Sequence, residues 1–319
     1  MPSFVRLSAV SLFLGLGLAA QAHAVVLASS EKKNSDPPTG AFAESGWQWQ
    51  GQWGAVLGTA ISKKYFITAG HVGGGVNQTF YFHGNAHRTV EVWGDPQSDL
   101  RIYKCVGLFS TWAPLFKDTT EAGRSATLFG RGRTRGEEVN VNGEVKGWKW
   151  GDEDGATSWG RNSIEGVLPW GPKGSDLLHF DFDGGAEGTS YEGALSQNDS
   201  GGGVFVKQGN TWKLAGINYS VDGPFSTNPD GSDSFPATIF DRGGLWMSGP
   251  GYVKDRSAPI TTSFYATRIS SRYQWIMDVF NGLIPPGIPD EGKPNVVPEP
   301  SAAVGLLAVS LLGLRRRSR

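Results

Sequence analysis

Short apolar or alternating runs, separated by Gly, Asn and Asp, follow one another along the chain from WGAVLGTAISKKYFITAG onward. Runs of this length predict strands, and their close spacing is typical of an antiparallel barrel or sandwich. The segment EVNVNGEVKGWKW predicts a hairpin that turns at Asn142-Gly143. Residues 131–175, which are polar and rich in Gly and Trp, are expected to project as long surface loops.

One segment, RISSRYQWIMDVFNG at residues 268–282, has the periodicity of an amphipathic helix. The apolar residues that share one face are Ile269, Tyr273, Ile276 and Phe280. Gly282 is a typical residue to end such a helix, and the Pro-rich stretch that follows, residues 283–296, predicts a linker. The pattern therefore predicts an all-β fold that ends in a helix.

The first 24 residues have the pattern of a secretory signal peptide. Arg6 is followed by an apolar run, and Ala22 and Ala24 supply the small residues of a cleavage site. The apolar run is short for a transmembrane helix. We therefore expect the mature chain to begin at Val25, with residues 25–48, which are polar and rich in Pro and Ser, as a loosely ordered lead-in.

The C-terminal residues 297–319 combine a Pro-Glu-Pro box, a short apolar segment and an arginine cluster. The apolar segment, 301–314, is shorter than the roughly 20 residues of an ordinary membrane span. This tail resembles the PEP-CTERM sorting signal of Gram-negative bacteria. The resemblance implies an exosortase-type processing enzyme as a partner and delivery to the cell envelope or to an exopolysaccharide-containing extracellular matrix. A weak, transient membrane anchor is the alternative.

The composition narrows the function classes. The chain has 46 Gly, 12 Trp and 18% charged residues, which favours short strands and many turns. The 29 basic residues nearly balance 30 acidic ones, but Arg6 and four arginines lie in the two terminal segments, so the rest of the chain is acidic. This charge gives no indication of a nucleic-acid partner.

A single cysteine, Cys105, excludes an internal disulfide and is expected to be a buried thiol.

Nothing in the sequence predicts a cofactor or a metal. His83 and His87 have a spacing that suits a metal but no evident third ligand. The acidic segments DEDG and NPDGSD do not match a complete calcium loop and are expected to be solvated turns.

The segment LSQNDSGGGVF raises the question of whether Ser200 is a nucleophile or a turn residue. A nucleophilic serine needs a base and an acid that orients the base. His71 follows the apolar strand KYFITAG, and Asp99 opens the strand LRIY, whereas Asp95 precedes a proline and is expected in a turn. His179 lies within a strand pattern. Taken singly, His71 could be a structural histidine and Asp99 a capping carboxylate.

FITAGHV, SDLRIY and NDSGGG, in this order, resemble the motifs of the chymotrypsin/trypsin-like serine peptidases. The interval of 28 residues between His71 and Asp99 is similar to that of the compact bacterial branch. ATRISSRYQWI resembles the terminal helix of the family, and LFGRGRTRG resembles the segment that enters the second barrel. The resemblance covers about residues 50–282.

The resemblance implies two antiparallel six-stranded β-barrels, here at residues 49–122 and 123–267, followed by the C-terminal helix. It implies a serine endopeptidase in which His71 is the general base, Asp99 orients it and Ser200 is the nucleophile. The backbone N–H groups of Asn198 and Ser200 would form the oxyanion hole. The family usually has glycine at the position of Asn198, because the backbone there adopts an unusual φ, which asparagine tolerates next best.

Further roles follow from the same resemblance. Asp199 is expected to be buried and to need a cation. Animal members use a newly cut N-terminal amine, but an IVGG-like start is missing here, and Arg133 resembles the internal arginine of bacterial members. Ala194 and Tyr219 are expected in the substrate pocket. A neutral Ala194 favours an apolar substrate side chain, while the nearby Glu192 leaves an acidic pocket open.

Two other classes of function stay open. The first is a catalytically inactive or latent envelope or matrix binding protein on the same fold, which the replacement of glycine by Asn198 favours. The second is a carbohydrate-binding envelope protein, because Trp148, Trp150 and Trp159 would stack on sugars if they were exposed. All three catalytic residue types are present in order, which favours a peptidase that acts on protein or peptide substrates.

Overall fold

A computed structural model describes residues 25–29, 34–184, 188–248, 253–254 and 260–288. The predicted signal peptide and sorting tail, and residues 289–296 of the predicted linker, lie outside these ranges.

The first half of the chain forms a closed barrel. Its strands, preceded by the short β1 (Val26–Leu27), are β2 (Gln50–Trp53), β3 (Val56–Ser62), β4 (Tyr65–Ala69), β5 (Thr79–Phe82), β6 (Asn85–Gly94) and β7 (Leu100–Cys105). They close in the order β2-β3-β4-β7-β6-β5, with antiparallel neighbours. Aromatic residues fill much of the interior, where Phe66 stacks on Phe80 at 4.0 Å between ring centroids. Cys105 is buried there, as predicted, and burial raises the pKa of its thiol to about 12.

The second half contains most of the strands. They are β8 (Ser125–Gly130), β9 (Arg133–Val141), β10 (Glu144–Glu153), β11 (Ser158–Ser163), β12 (Gly166–Leu168), β13 (Leu177–Asp181), β14 (Gly193–Ala194), β15 (Gly203–Gln208), β16 (Thr211–Val221), β17 (Phe225–Ser226), β18 (Ala237–Ile239), β19 (Trp246–Met247), β20 (Val253–Lys254) and β21 (Ser263–Arg268). Its main sheet has seven strands in the order β11-β8-β15-β16-β21-β13-β12.

The main sheet departs from the predicted six-stranded closed barrel in two respects: it has seven strands, and its ladder stays open, with β11 and β12 as the edge strands. The side-chain amide of Asn162 on the edge strand β11 donates to the backbone carbonyls of Asp181 at the end of β13 (2.8 Å) and of Gly193 on β14 (3.2 Å). Hydrogen bonds from one side chain therefore stand where a ladder of backbone hydrogen bonds would close the barrel. The all-β architecture with a closed barrel, a half-barrel and a C-terminal helix is the one that the sequence predicts.

The prediction of long surface loops at residues 131–175 is wrong. β9 and β10 form an extended hairpin, and β10 also pairs with β18. The predicted turn is present, since Asn142 (φ 54°) and Gly143 (φ 85°) both have the positive φ of a type I′ turn. The alternation along these segments belongs to strands, which the high content of Gly and polar residues obscured.

The three tryptophans considered for sugar binding do not form an exposed platform. Trp148 and Trp159 are buried, at 7% and 6% relative exposure. Trp150 is half-buried, and its indole N–H donates to the hydroxyl of Thr238 at 2.9 Å. Packing and hydrogen bonding thus hold these side chains within the fold, whereas the carbohydrate hypothesis requires them to be exposed at the surface.

The C-terminal helix α1 (Tyr273–Phe280) follows a 3₁₀ turn at Ser270–Arg272 and begins later than predicted. Arg268, the predicted start, still belongs to β21, where it pairs with Gly216. None of the helices in the described part of the chain is long and apolar enough to span a bilayer.

The helix ties the two halves of the molecule together. Its residues Trp275, Ile276 and Val279 join a hydrophobic core that contains residues from both halves. Just before the helix, Arg272 makes a two-pronged ion pair with the buried carboxylate of Asp95 at 2.6 and 2.7 Å. The segment that leads to Asp99 is therefore anchored to the end of the second half.

Candidate active site

His71, Asp99 and Ser200 lie in hydrogen-bond contact. The distance from Asp99 Oδ2 to His71 Nδ1 is 2.6 Å, and that from His71 Nε2 to Ser200 Oγ is 2.9 Å. With the carboxylate at Nδ1, the hydrogen of a neutral imidazole resides on Nδ1, and Nε2 can accept the serine proton. The structure thus brings together three residues that lie far apart in the sequence.

Adjacent strands of the barrel position His71 and Asp99. β4 ends just before His71, β7 begins just after Asp99, and Ala69 pairs with Leu100 across the two strands. The Asp99 carboxylate also accepts the backbone N–H of His71 at 2.9 Å. Both the ring and the backbone of His71 are therefore fixed by the same acid.

Ser200 sits in a tight turn whose glycines are required by close contacts. Gly201 has φ 80°, and a Cβ atom there would lie 2.5 Å from the carbonyl oxygen of Leu57 and closer still to the hydroxyl of Thr68. A Cβ at Gly202 would overlap the carbonyl of Phe129. The glycines of the NDSGGG motif thus let the turn at Ser200 pack directly on β3 and on β4, the strand that leads to His71.

The backbone N–H groups of Asn198 and Ser200 have no hydrogen-bond acceptor among the described residues. Asn198 adopts φ 72°, the left-handed region in which the sequence predicts a glycine-like backbone. Free N–H groups beside a nucleophile are the donors that an oxyanion hole requires.

The predicted ion pair between Asp199 and Arg133 is not formed. The Arg133 guanidinium instead binds Glu153, its cross-strand partner in the β9–β10 hairpin, at 2.7 Å. It also donates to the side-chain oxygen of Gln197 at 2.9 Å. Asp199, which is 1% exposed, accepts hydrogen bonds from Gly132 N (2.7 Å) and from the backbone N–H and hydroxyl of Ser196 (2.7 and 2.9 Å). No cation among the described residues pairs with it, and burial raises its pKa to about 6.

Val25, the residue predicted to start the mature chain, lies against this carboxylate. Its backbone N–H is one of the groups that stabilise ionised Asp199. The valine side chain is buried, and its φ of 50° is unfavourable for a β-branched residue within a chain. β1 follows at once and pairs with β14, so the beginning of the lead-in is ordered, contrary to expectation. The apolar VVL directly after the cleavage pattern is the signal that would have predicted it.

The expected pocket residues occupy three different environments. Ala194 is fully buried on β14, in a hydrophobic core formed mainly by strands of the second half, and its place at the pocket base stays a prediction. The buried Glu192 carboxylate accepts hydrogen bonds from Asn162 (2.8 Å) and from Thr189 N (2.9 Å), and burial raises its pKa to about 7. Tyr219 lies beside His71, with ring centroids 5.7 Å apart at an interplanar angle of 78°.

His179 and His83 make hydrogen bonds away from the candidate site. His179 on β13 contacts the hydroxyl of Ser263 (3.0 Å) and the carboxylate of Asp181 (3.2 Å). His83 contacts the carbonyl of Gln48 at 2.9 Å. Within the residues that the structure describes, no group of three His, Cys, Asp or Glu side chains is arranged to hold a metal ion.

Comparison of the chain with protein-family models gives no match, and comparison with curated proteins gives none either. Among solved structures, the chain is similar to neuropsin, a serine protease expressed in the limbic system of mouse brain. The identity is 12%, the match covers 74% of this chain and 96% of the neuropsin chain, and the TM-score is 0.44. A likeness of this degree carries no inference about this chain.

Proposed function

We propose that this chain is an exported serine endopeptidase that works through an acyl-enzyme intermediate. The observation that carries the proposal is the continuous contact from Asp99 through His71 to Ser200, at 2.6 and 2.9 Å. A serine hydroxyl is a weak nucleophile unless a base removes its proton, and this geometry supplies the base and its orienting acid.

In the proposed reaction, Ser200 Oγ attacks the carbonyl carbon of a peptide bond while its proton passes to His71 Nε2. The carbonyl oxygen takes the negative charge beside the N–H groups of Asn198 and Ser200, each worth about 10²-fold in rate. Collapse of this intermediate expels the amine, which leaves with the proton from Nε2. Water then gives a proton to Nε2 and attacks the acyl ester, and Ser200 regains its proton as the carboxylic acid departs.

Asp99 has two tasks in this scheme. It holds the imidazole in the tautomer that presents a free Nε2, and it stabilises the imidazolium that forms when Nε2 is protonated. Its side chain is only 11% exposed, so little water competes for these contacts.

We also propose export with removal of residues 1–24, followed by sorting of the tail to the envelope or extracellular matrix by an exosortase-type enzyme. The sequence patterns at both ends support this route. The burial of Val25 beside Asp199 supports the position of the cut, because a free amine at Val25 would supply the cation that this carboxylate lacks among the described residues. The same cut would remove the strain of φ 50° at a residue that becomes the chain terminus.

The test is covalent labelling of the purified chain, processed so that it begins at Val25, with a fluorophosphonate probe, which reacts with an activated serine. Ser200→Ala and His71→Ala are compared with wild type, and Ser232→Ala at an exposed position and His87→Ala at a half-buried one serve as matched controls. We expect labelling of wild type and both controls and none of Ser200→Ala or His71→Ala. A folded, correctly processed wild-type chain that does not label would instead favour the inactive or latent binding protein.

A further inference from the structure

β16 contains a bulge beside the active site. Asn218 pairs with Ala266 and Ser220 pairs with Tyr265 on β21, so Tyr219 is an extra residue between two regular pairs. In a regular strand, successive side chains point to opposite faces. A bulge re-aims a side chain, and here it allows the neighbouring residues Asn218 and Tyr219 both to reach the site.

Asn218 holds the turn that carries Ser200. Its fully buried side-chain amide donates to the carbonyl of Asp199 at 2.9 Å and to that of Phe129 at 2.7 Å. Its backbone carbonyl accepts the N–H of Gly201 at 3.1 Å. Because Asp199 and Gly201 flank Ser200, these contacts fix the nucleophile from both sides.

Tyr219 contacts the other half of the site. Its ring meets the His71 imidazole edge to face, with centroids 5.7 Å apart. Burial, with the nearby Asp99 charge, raises the tyrosine pKa, so its ring is neutral at physiological pH. The His71 side chain is 33% exposed, and an aromatic neighbour restricts the imidazole on a side that Asp99 and Ser200 do not cover.

From these contacts we infer that Asn218 and Tyr219 are positioning residues, and that the bulge of β16 holds the nucleophile and the base in register. Asn218 acts through the backbone around Ser200, and Tyr219 acts through the ring of His71. This inference rests on the proposed peptidase function. It assigns to Tyr219 a role at the base, whereas the sequence placed this residue in the substrate pocket.

The test uses fluorophosphonate labelling of the chain processed to begin at Val25, with the rate constant and the labelled fraction recorded separately. Tyr219→Leu removes the ring, Tyr219→Phe keeps it, and Tyr81→Leu is a control at a tyrosine that is 51% exposed on the first barrel. We expect Tyr219→Leu to lower the rate constant about tenfold at an unchanged labelled fraction, as expected when a base is misplaced rather than lost. Tyr219→Phe should recover most of the rate.

Asn218→Ala should lower the rate constant similarly. An unchanged rate in Tyr219→Leu, or a reduced labelled fraction with an unchanged rate, would overturn the inference for Tyr219 while the peptidase function stands. Failure of wild type to label would count against the peptidase function itself.

Discussion

Val25 and Asp199 lie in contact inside the second half of the molecule, where the valine N–H stabilises the ionised carboxylate. The two residues are far apart in the sequence, and Asp199 directly precedes the proposed nucleophile. A neutral N–H group compensates a buried negative charge far less than an ammonium group does. Whether Val25 carries an amide N–H or a free ammonium group therefore affects how firmly the turn at Ser200 is held.

The first prediction concerns this terminus. Variants that block the cleavage pattern, Ala22→Leu with Ala24→Leu, should leave Val25 in an amide bond and lower fluorophosphonate labelling at least tenfold, because Asp199 then lacks its cation. Labelling is compared with that of the processed chain, whose N-terminal residue is checked by mass spectrometry. Equal labelling of processed and unprocessed chains would show that the amine plays no part.

The second prediction is a pH dependence of stability in the unprocessed chain. Its folded state keeps a proton on Asp199 up to about pH 6, whereas the unfolded chain loses it near pH 4. Stability should therefore fall as pH rises from 4 to 6, by up to about 3 kcal/mol from this group.

Denaturant unfolding at pH 4, 5, 6 and 7 measures this trend. Asp199→Asn should remove the part of the pH dependence that belongs to this carboxyl group. If the variant and the parent chain have parallel profiles, Asp199 is not the source.

The third prediction concerns the acid of the site. Asp99→Asn places an amide donor next to Nδ1, which favours the tautomer that carries its hydrogen on Nε2. The labelling rate should fall about 10³- to 10⁴-fold while the fold is retained. Asp118→Asn is a control at an acid outside the site. A loss of less than tenfold would show that Asp99 does not set the tautomer.

The fourth prediction uses the left-handed backbone at Asn198. Asn198→Gly should keep the fold and label at a rate within a few-fold of wild type, because the N–H groups remain in place. Asn198→Val should lose about 1–2 kcal/mol of stability, since a β-branched residue is strained at φ 72°. Thermal unfolding of the two variants checks the difference, and a fully stable valine variant would argue against a fixed turn.

The fifth prediction separates crowding from backbone conformation. Gly201→Ala should destabilise the chain by several kcal/mol, because the new Cβ would collide with Leu57 O and Thr68. Gly209→Ala is the matched control, since Gly209 also has positive φ (59°) but nothing lies within 4 Å of the added Cβ. It should cost about 1 kcal/mol. Similar losses in the two variants would contradict the close contact between the halves.

Local patterns carried much of what the sequence predicted. Apolar runs between turn residues predicted the strands, Asn142-Gly143 predicted the hairpin turn, and the 3.6-residue period predicted a helix near the C-terminus. The candidate triad also came from short motifs, because a strand end or a Gly-rich turn fixes where each side chain points. A buried polar Asn218 within an apolar strand pattern was a signal of the same kind that sequence reasoning passed over.

By itself, then, the sequence determined the all-β class and the candidate residues His71, Asp99 and Ser200, since these depend on residues close together in the chain. Tertiary structure alone decided that Asp199 meets Val25 and not Arg133, that Tyr219 packs on His71, and that Trp148 and Trp159 are buried. These outcomes depend on which distant groups compete for the same buried space, and on the cost of leaving a polar group there without a partner. A one-residue bulge in β16 is enough to change where a side chain points, and no local pattern predicted it.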